Sequence, residues 1–172
     1  HQRRVPVEVQ TALVEHCIGH TTAMRYLASR ADADYSALAV LADSKDERTR
    51  INVAANVGPR MRIIEPARAD EKQAIFDSLV ARFESDYAPH LVPVCTDAVQ
   101  LKNMYSALSK TLGTADVFVD NPHTPESVLL DIAASPTMHI VQHDASRRAR
   151  ELLQARAQRQ EPIFENNDLA PS

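Results

Sequence analysis

Apolar residues recur along this chain at helical spacing, and polar, proline or glycine punctuation interrupts them at short intervals, which predicts a succession of short amphipathic helices. Pro6 suits a first helical position, where its missing N–H costs nothing, and Val9, Leu13 and Cys17 follow at four-residue intervals up to Gly19. A second helix is expected after Thr21 or Thr22, with Met24, Leu27 and Ala28 inward. Asp34 is placed to cap a third, burying Leu38, Leu41 and Ala42. A fourth carries Ile51 and Ala54 and is expected to stop at Gly58-Pro59. Asp70 and Gln73 read as a capping box for a longer helix bearing Ile75, Phe76, Leu79, Val80 and Phe83. His90 to Cys95, with Pro93 inside, reads as an extended connector. Thr96 would then cap a helix along Leu101, Tyr105, Leu108 and Leu112. Val117 to Val119 reads as a buried connector. Asn121-Pro122-His123-Thr124-Pro125 predicts a turn, an N-cap at Thr124 and a new helix burying Val128, Leu129, Ile132 and Ala133. Thr137 is expected to open a long last helix reaching about Gln160.

Two stretches share one pattern. Tyr35 to Gly58 and Glu126 to Arg148 align with Leu38 on Leu129, Leu41 on Ile132, Ala42 on Ala133, Ser44 on Ser135, Thr49 on Ile140 and Ala54 on Ala145. Each unit is too small to bury its apolar face alone, so the repeat predicts helix pairs stacked on one another. The expectation is an all-α chain: one helical repeat domain over 5–160, with a longer central pair between Asp70 and Leu112 and a loose tail over 161–172.

The turn Asn121-Pro122-His123-Thr124-Pro125, the Val128-Leu129 and Ile132-Ala133 that follow it, and Leu41-Ala42-Asp43 with Val53-Ala54-Ala55-Asn56 resemble the bacterial leucine-rich repeat variant family and its HEAT-like relatives. Val57-Gly58-Pro59 departs from that pattern, as does Val141 at the position aligned with Arg50. The resemblance implies a right-handed α-α superhelix, or solenoid, with a face that binds another macromolecule and no shared catalytic residue.

Only 3 glycines in 172 residues argue against a Rossmann sheet, a phosphate-cradling loop or a sandwich full of tight turns. A formal charge of −4 supplies no general attraction to nucleic acid or anionic lipid. No run is long and apolar enough to span a bilayer, no secretory-leader pattern opens the chain, and Cys17 and Cys95 are two isolated thiols; a reducing cytoplasm is the expected setting. His1 to Arg4 are set aside as a frayed end.

Candidate chemistry is sparse. His16, Cys17 and His20 share spacing that converges on a metal only if one helix carries all three, and Gly19 is expected to break it. His139 and His143 repeat the four-residue interval without the glutamate of HExxH. No GxSxG elbow or reactive-cysteine signature appears. No cofactor is expected. The strongest feature is the arginine crowd on the last helix, Arg147, Arg148, Arg150, Arg156 and Arg159, joined by Arg48, Arg50, Arg60 and Arg62 if equivalent helices line one side. Arg48, Arg50, Arg147, Arg148 and Arg150 are the candidate partner-binding residues. The function expected is a non-enzymatic module holding a protein segment on its second-helix face; the alternative is a HEAT-like repeat that uses the arginine strip on nucleic acid. A base-handling enzyme of that type fits poorly with no Trp, 4 Tyr and 4 Phe. Pro162-Ile163-Phe164 is a candidate docking peptide for another subunit, which makes self-association an expectation as well.

Overall fold

A computed structural model describes residues 5–108, 114–135 and 140–160, the side chains of 140–143 and 160 excepted. Among the described residues every regular element is helical. The α-helices are α1 (Val7–His16), α2 (Thr21–Ser29), α3 (Tyr35–Ala42), α4 (Glu47–Met61), α5 (Ala69–Ala81), α6 (Ala88–Leu91), α7 (Ala98–Leu108), α8 (Ala115–Val119), α9 (Glu126–Ala134) and α10 (Ile140–Gln160). Single 3₁₀ turns at Pro66–Arg68, Ser85–Tyr87 and Val92–Val94 flank α5 and α6.

The helices pack in two rows. Along one, α1 lies on α3 and α3 on α5; Gln100 of α7 then donates to Asp77 of α5 at 2.8 Å, and Tyr105 of α7 to Asp131 of α9 at 2.8 Å. Along the other, α2 lies on α4 and α4 on α6, the turn after α6 lies on α8, and α8 lies on α10. Between the rows runs one apolar cluster from Val14 to Ala149. Leu38 and Leu129, aligned by sequence, are both 0% exposed, and Ala54 and Ala145 are buried alike.

Side-chain capping explains three helix starts, those of α3, α4 and α7. Asp34 accepts the Ser36 N–H at 3.1 Å and Asp46 the Thr49 N–H at 2.8 Å, each satisfying a donor the helix leaves orphaned. Burial pushes the Asp34 carboxyl up, but hydrogen bonds from Ser36 and Arg68 prevail and hold it below its ordinary range. Gly19, at φ +94°, turns the chain between α1 and α2 in a conformation side chains disfavour.

Several local expectations are corrected. Helix α4 runs through Gly58-Pro59 to Met61; Pro59 sits in its last turn, and Gly58 is there because the His90 carbonyl of α6 presses against its Cα. Asp70 caps nothing: α5 begins at Ala69 behind a 3₁₀ turn, so Asp70 instead places negative charge in the first turn. His90 to Cys95 is not extended, because Pro89 and Pro93 each occupy early positions of helical turns, where no N–H is needed. Asp97, not Thr96, accepts the N–H groups of Val99 and Gln100. Val117 to Val119 belongs to the short α8. Thr124 does not cap α9; its hydroxyl donates to the Phe118 carbonyl. The central α5, at 13 residues, is shorter than α4 at 15, and α7 is described over the 11 residues Ala98–Leu108. Leu112, Gly113, Thr137 and the tail lie outside the described residues.

Candidate partner-binding surface

The arginines singled out by sequence do not assemble into one strip of free cations. Arg50 is 12% exposed and works inside the molecule: its Nε donates to the Tyr87 hydroxyl at 2.7 Å, Nη1 to the Ser44 carbonyl at 2.8 Å, and Nη2 to Glu84 at 2.5 Å. It therefore ties the α3–α4 link to the turn before α6. Arg147 pairs along its own helix with Asp144 and Glu151, both at 2.6 Å. Arg148 reaches Asp120 beyond α8, and Arg150 donates to the Ala133 carbonyl at the end of α9. Arg156 donates to the Thr124 and Pro122 carbonyls, and Arg159 to Ala155. Guanidinium donors spent on backbone carbonyls are no longer available for a two-point grip on phosphate.

Arg60 is spent in the same way, and its neighbours show why. Along α4, Asn52 donates to the Arg25 carbonyl at 3.0 Å, Asn56 to those of Ala28 at 2.9 Å and Arg30 at 2.7 Å, and Arg60 to those of Ala33 at 2.6 Å and Ala31. These residues recur every fourth position, so one face of α4 donates to carbonyls of the second half of α2 and of the Arg30–Ala33 link that follows it. Asn121 does the same service elsewhere, donating to the Val92 and Cys95 carbonyls at 2.5 and 2.8 Å while accepting the His123 N–H at 2.7 Å.

Arg48 and Arg62 are different: both are exposed and their guanidinium groups make no ion pair or hydrogen bond among the described residues. With Asn52, Ala55 and Pro59 they fall at intervals of four, three, four and three residues, a single stripe on α4. Arg48 heads the stripe and Arg62 closes it, about 21 Å away at helical rise. Between them lies a recess of about 330 Å³ shared by α4 and the end of α2, lined by Ser29, Asn52, Ala55, Asn56, Pro59 and Arg60. The amide NH₂ groups of Asn52 and Asn56 point at α2, which leaves their carbonyl oxygens with accepting capacity.

A second recess, also about 330 Å³, opens where α1, α3 and α5 begin. Its wall is a polar network in which the buried Arg68 Nε has no hydrogen-bond partner. Tyr35 lies between Arg60 and Arg68, whose guanidinium carbons stand 5.5 and 4.8 Å from its ring centre, and its hydroxyl donates to Glu65 at 2.8 Å. Lys72, 4% exposed, donates to the Ile63 and Arg60 carbonyls at the end of α4 and to Glu65. Hydrogen bonds from Tyr35, then Lys72, hold the Glu65 carboxyl below its ordinary range. Such pairing rigidifies the junction of α3, α4 and α5.

The histidines do not converge. Helix α1 ends at His16, and His20 lies past the Gly19 turn immediately before α2, so the two imidazoles do not share a helix. Among the described residues no three His, Cys, Asp or Glu side chains stand where they could hold a metal ion. His139 and the His143 side chain lie outside the described residues. Cys17 is half-buried and Cys95 buried, both as free thiols; burial pushes the Cys95 thiol up. No described helix is long and apolar enough to cross a membrane.

Comparison with known proteins adds nothing to this geometry: no family model, curated protein or solved structure matches the chain.

Proposed function

We propose that this chain is a non-enzymatic interaction module, a HEAT-like α-α array that holds a segment of a protein partner against its second-helix row. The observation that carries the reading is the α4 stripe of Arg48, Asn52, Ala55, Pro59 and Arg62, with the recess beside it. A segment laid there places small apolar side chains on Ala55 and Pro59, N–H groups on the asparagine carbonyls, and acidic residues at the two arginines. The two-row order of helices supports the same reading, because stacking of this kind repeats an outward-facing second helix at each layer. Leucine-rich repeat variant and HEAT-like arrays use such faces, and the equivalence of the Tyr35 and Glu126 segments in sequence and burial accords with them.

The test is partner capture from the native cell with the wild-type chain and with Ala55→Arg and Arg48→Glu/Arg62→Glu variants, using Arg147→Glu as the control. A protein retained by the wild type and the control, but lost from both stripe variants, supports the reading. Retention of the same proteins by Ala55→Arg overturns it. The nucleic-acid alternative is separated by a gel shift at low salt, where charge-driven binding is strongest.

A further inference from the structure

A third hollow carries an inference that does not depend on the α4 stripe. Where the α1–α2 turn meets the end of α3, a groove of about 400 Å³ is lined by Val14, Ile18, Met24 and Val40. Val14 and Met24 are 1% and 8% exposed and belong to the core, but Val40 and Ile18 stand 37% and 63% exposed at its mouth. Its volume falls in the roughly 300–1,000 Å³ range of hollows that enclose a ligand. The rim holds two carboxylates, each already matched. Asp46 is gripped at two points by Arg25, and Asp43 lies 3.4 Å from Arg82. Lys45, exposed between them, makes no ion pair among the described residues, so the rim's one unmatched charge is positive.

The chain carries a segment of matching chemistry directly after α10: Glu161-Pro162-Ile163-Phe164-Glu165, two large apolar side chains bracketed by acids. The order of helix contacts argues against the groove of its own molecule. Helix α10 ends at Gln160, and four further residues extend at most about 14 Å. Between α10 and α2 the second row interposes α8, α6 and α4, at about 8–10 Å per layer. Arg156 also holds the carboxyl-terminal part of α10 against the Pro122–Thr124 link, at the far end of the row.

We propose that Ile163 and Phe164 of one chain insert into the groove between the α1–α2 turn and the end of α3 of a second copy, with Glu161 or Glu165 paired to Lys45. The contact joins unlike surfaces, head to tail, so each added chain presents a fresh groove at one end and a fresh tail at the other.

Sedimentation velocity across a wide concentration range tests this on the full chain. The wild type is expected to gain mass with concentration, while Ile163→Ser/Phe164→Ser and Val40→Asp, each verified as folded by circular dichroism, stay monomeric. An equimolar mixture of those two variants has one intact groove and one intact tail, and is expected to form a heterodimer and nothing larger. A labelled peptide of residues 161–172 is expected to bind the Ile163→Ser/Phe164→Ser chain, about tenfold or more weakly when Val40→Asp is added, and about two- to fivefold more weakly with Lys45→Glu at low salt. The proposal is overturned if the wild type remains a single chain at every concentration, if association survives the loss of Ile163 and Phe164, or if the peptide binds equally with and without Val40→Asp.

Discussion

Replacing Gly58 by alanine sets two opposing effects against each other on one helix. Alanine is a better helix former than glycine by about 1 kcal/mol, so an isolated α4 would gain. Folded, the new methyl carbon would lie 2.4 Å from the His90 carbonyl oxygen and 3.1 Å from its carbon. Carbon and oxygen normally approach to about 3.3–3.6 Å, so α4 and α6 must separate by about 1 Å. The obstacle is backbone, and α6 has little room to retreat: Tyr87, Ala88, Leu91 and Val92 are all 0% exposed. Overpacking of this kind costs typically about 1–3 kcal/mol, and the rigidity of both partners puts this case at the upper end. The expected net loss is about 2 kcal/mol, or a fall in Tm of about 4–8 °C for a chain of this size. Urea denaturation followed by circular dichroism measures it, with Ala55→Gly on the same helix as the propensity reference at a loss of up to about 1 kcal/mol. A Gly58→Ala chain stabilised by about 1 kcal/mol would show propensity acting alone and refute the close approach of α4 to α6.

Other perturbations separate internal struts from surface charge. Asn121→Ala orphans the Val92 and Cys95 carbonyls and is expected to cost about 2–3 kcal/mol in urea denaturation; a loss under about 0.5 kcal/mol would mean water replaces the amide. Arg50→Glu is expected to unfold the chain and Arg50→Ala to cost about 2–4 kcal/mol, read by circular dichroism, because Glu84 and the buried Tyr87 hydroxyl are left with only their long 3.3 Å bond to each other; a stable Arg50→Glu chain contradicts that. Arg147→Ala, whose ion pairs are exposed, is expected to leave the urea midpoint unchanged. The Arg25 hydrogen bonds, aided by those from Thr49, hold the Asp46 carboxyl well below the usual carboxylate range. Its contribution is therefore fully present above the unfolded value near pH 4 and lost as pH falls through the folded one. Since asparagine also caps helices, the stability gap between wild type and Asp46→Asn is expected to be at most about 1 kcal/mol at neutral pH and to close in acid; a gap that persists unchanged in acid would rule out the ion pair as its source.

What could be read from the sequence depended on the range of the interaction behind each residue. Asp34 was legible because its partner N–H lies two residues on, and the inward faces of α3 and α9 followed from spacing alone. Gly58-Pro59 misled, since a close approach to another helix and a helix stop use the same glycine. Proline misled at His90 to Cys95 for a related reason: Pro89 and Pro93 start turns as readily as they end them. Arg50 was beyond reach, because the residues that enclose it, Tyr87 and Glu84, are far away in the chain and carry no spacing signal. Asn56 and Asn121 stood in plain view within the repeat pattern, yet nothing local told that their amides serve carbonyls of a different helix. The α4 stripe was hidden by the expected stop at Gly58, although its spacing is legible once the helix is carried through to Arg62.

The joint between α2 and α4 has one property that bears on how this chain can change. Asn52, Asn56 and Arg60 recognise only main-chain oxygen, a group every amino acid supplies. Most substitutions at Ala28, Arg30, Ala31 or Ala33 leave those oxygens in place, whereas a substitution at Asn56 removes two bonds at once. Tolerance is thus divided unequally across the seam: on the accepting side these hydrogen bonds set no letter and only the packing of Ala28 and Ala33 does, whereas on the donating side the bonds themselves fix which letters are kept.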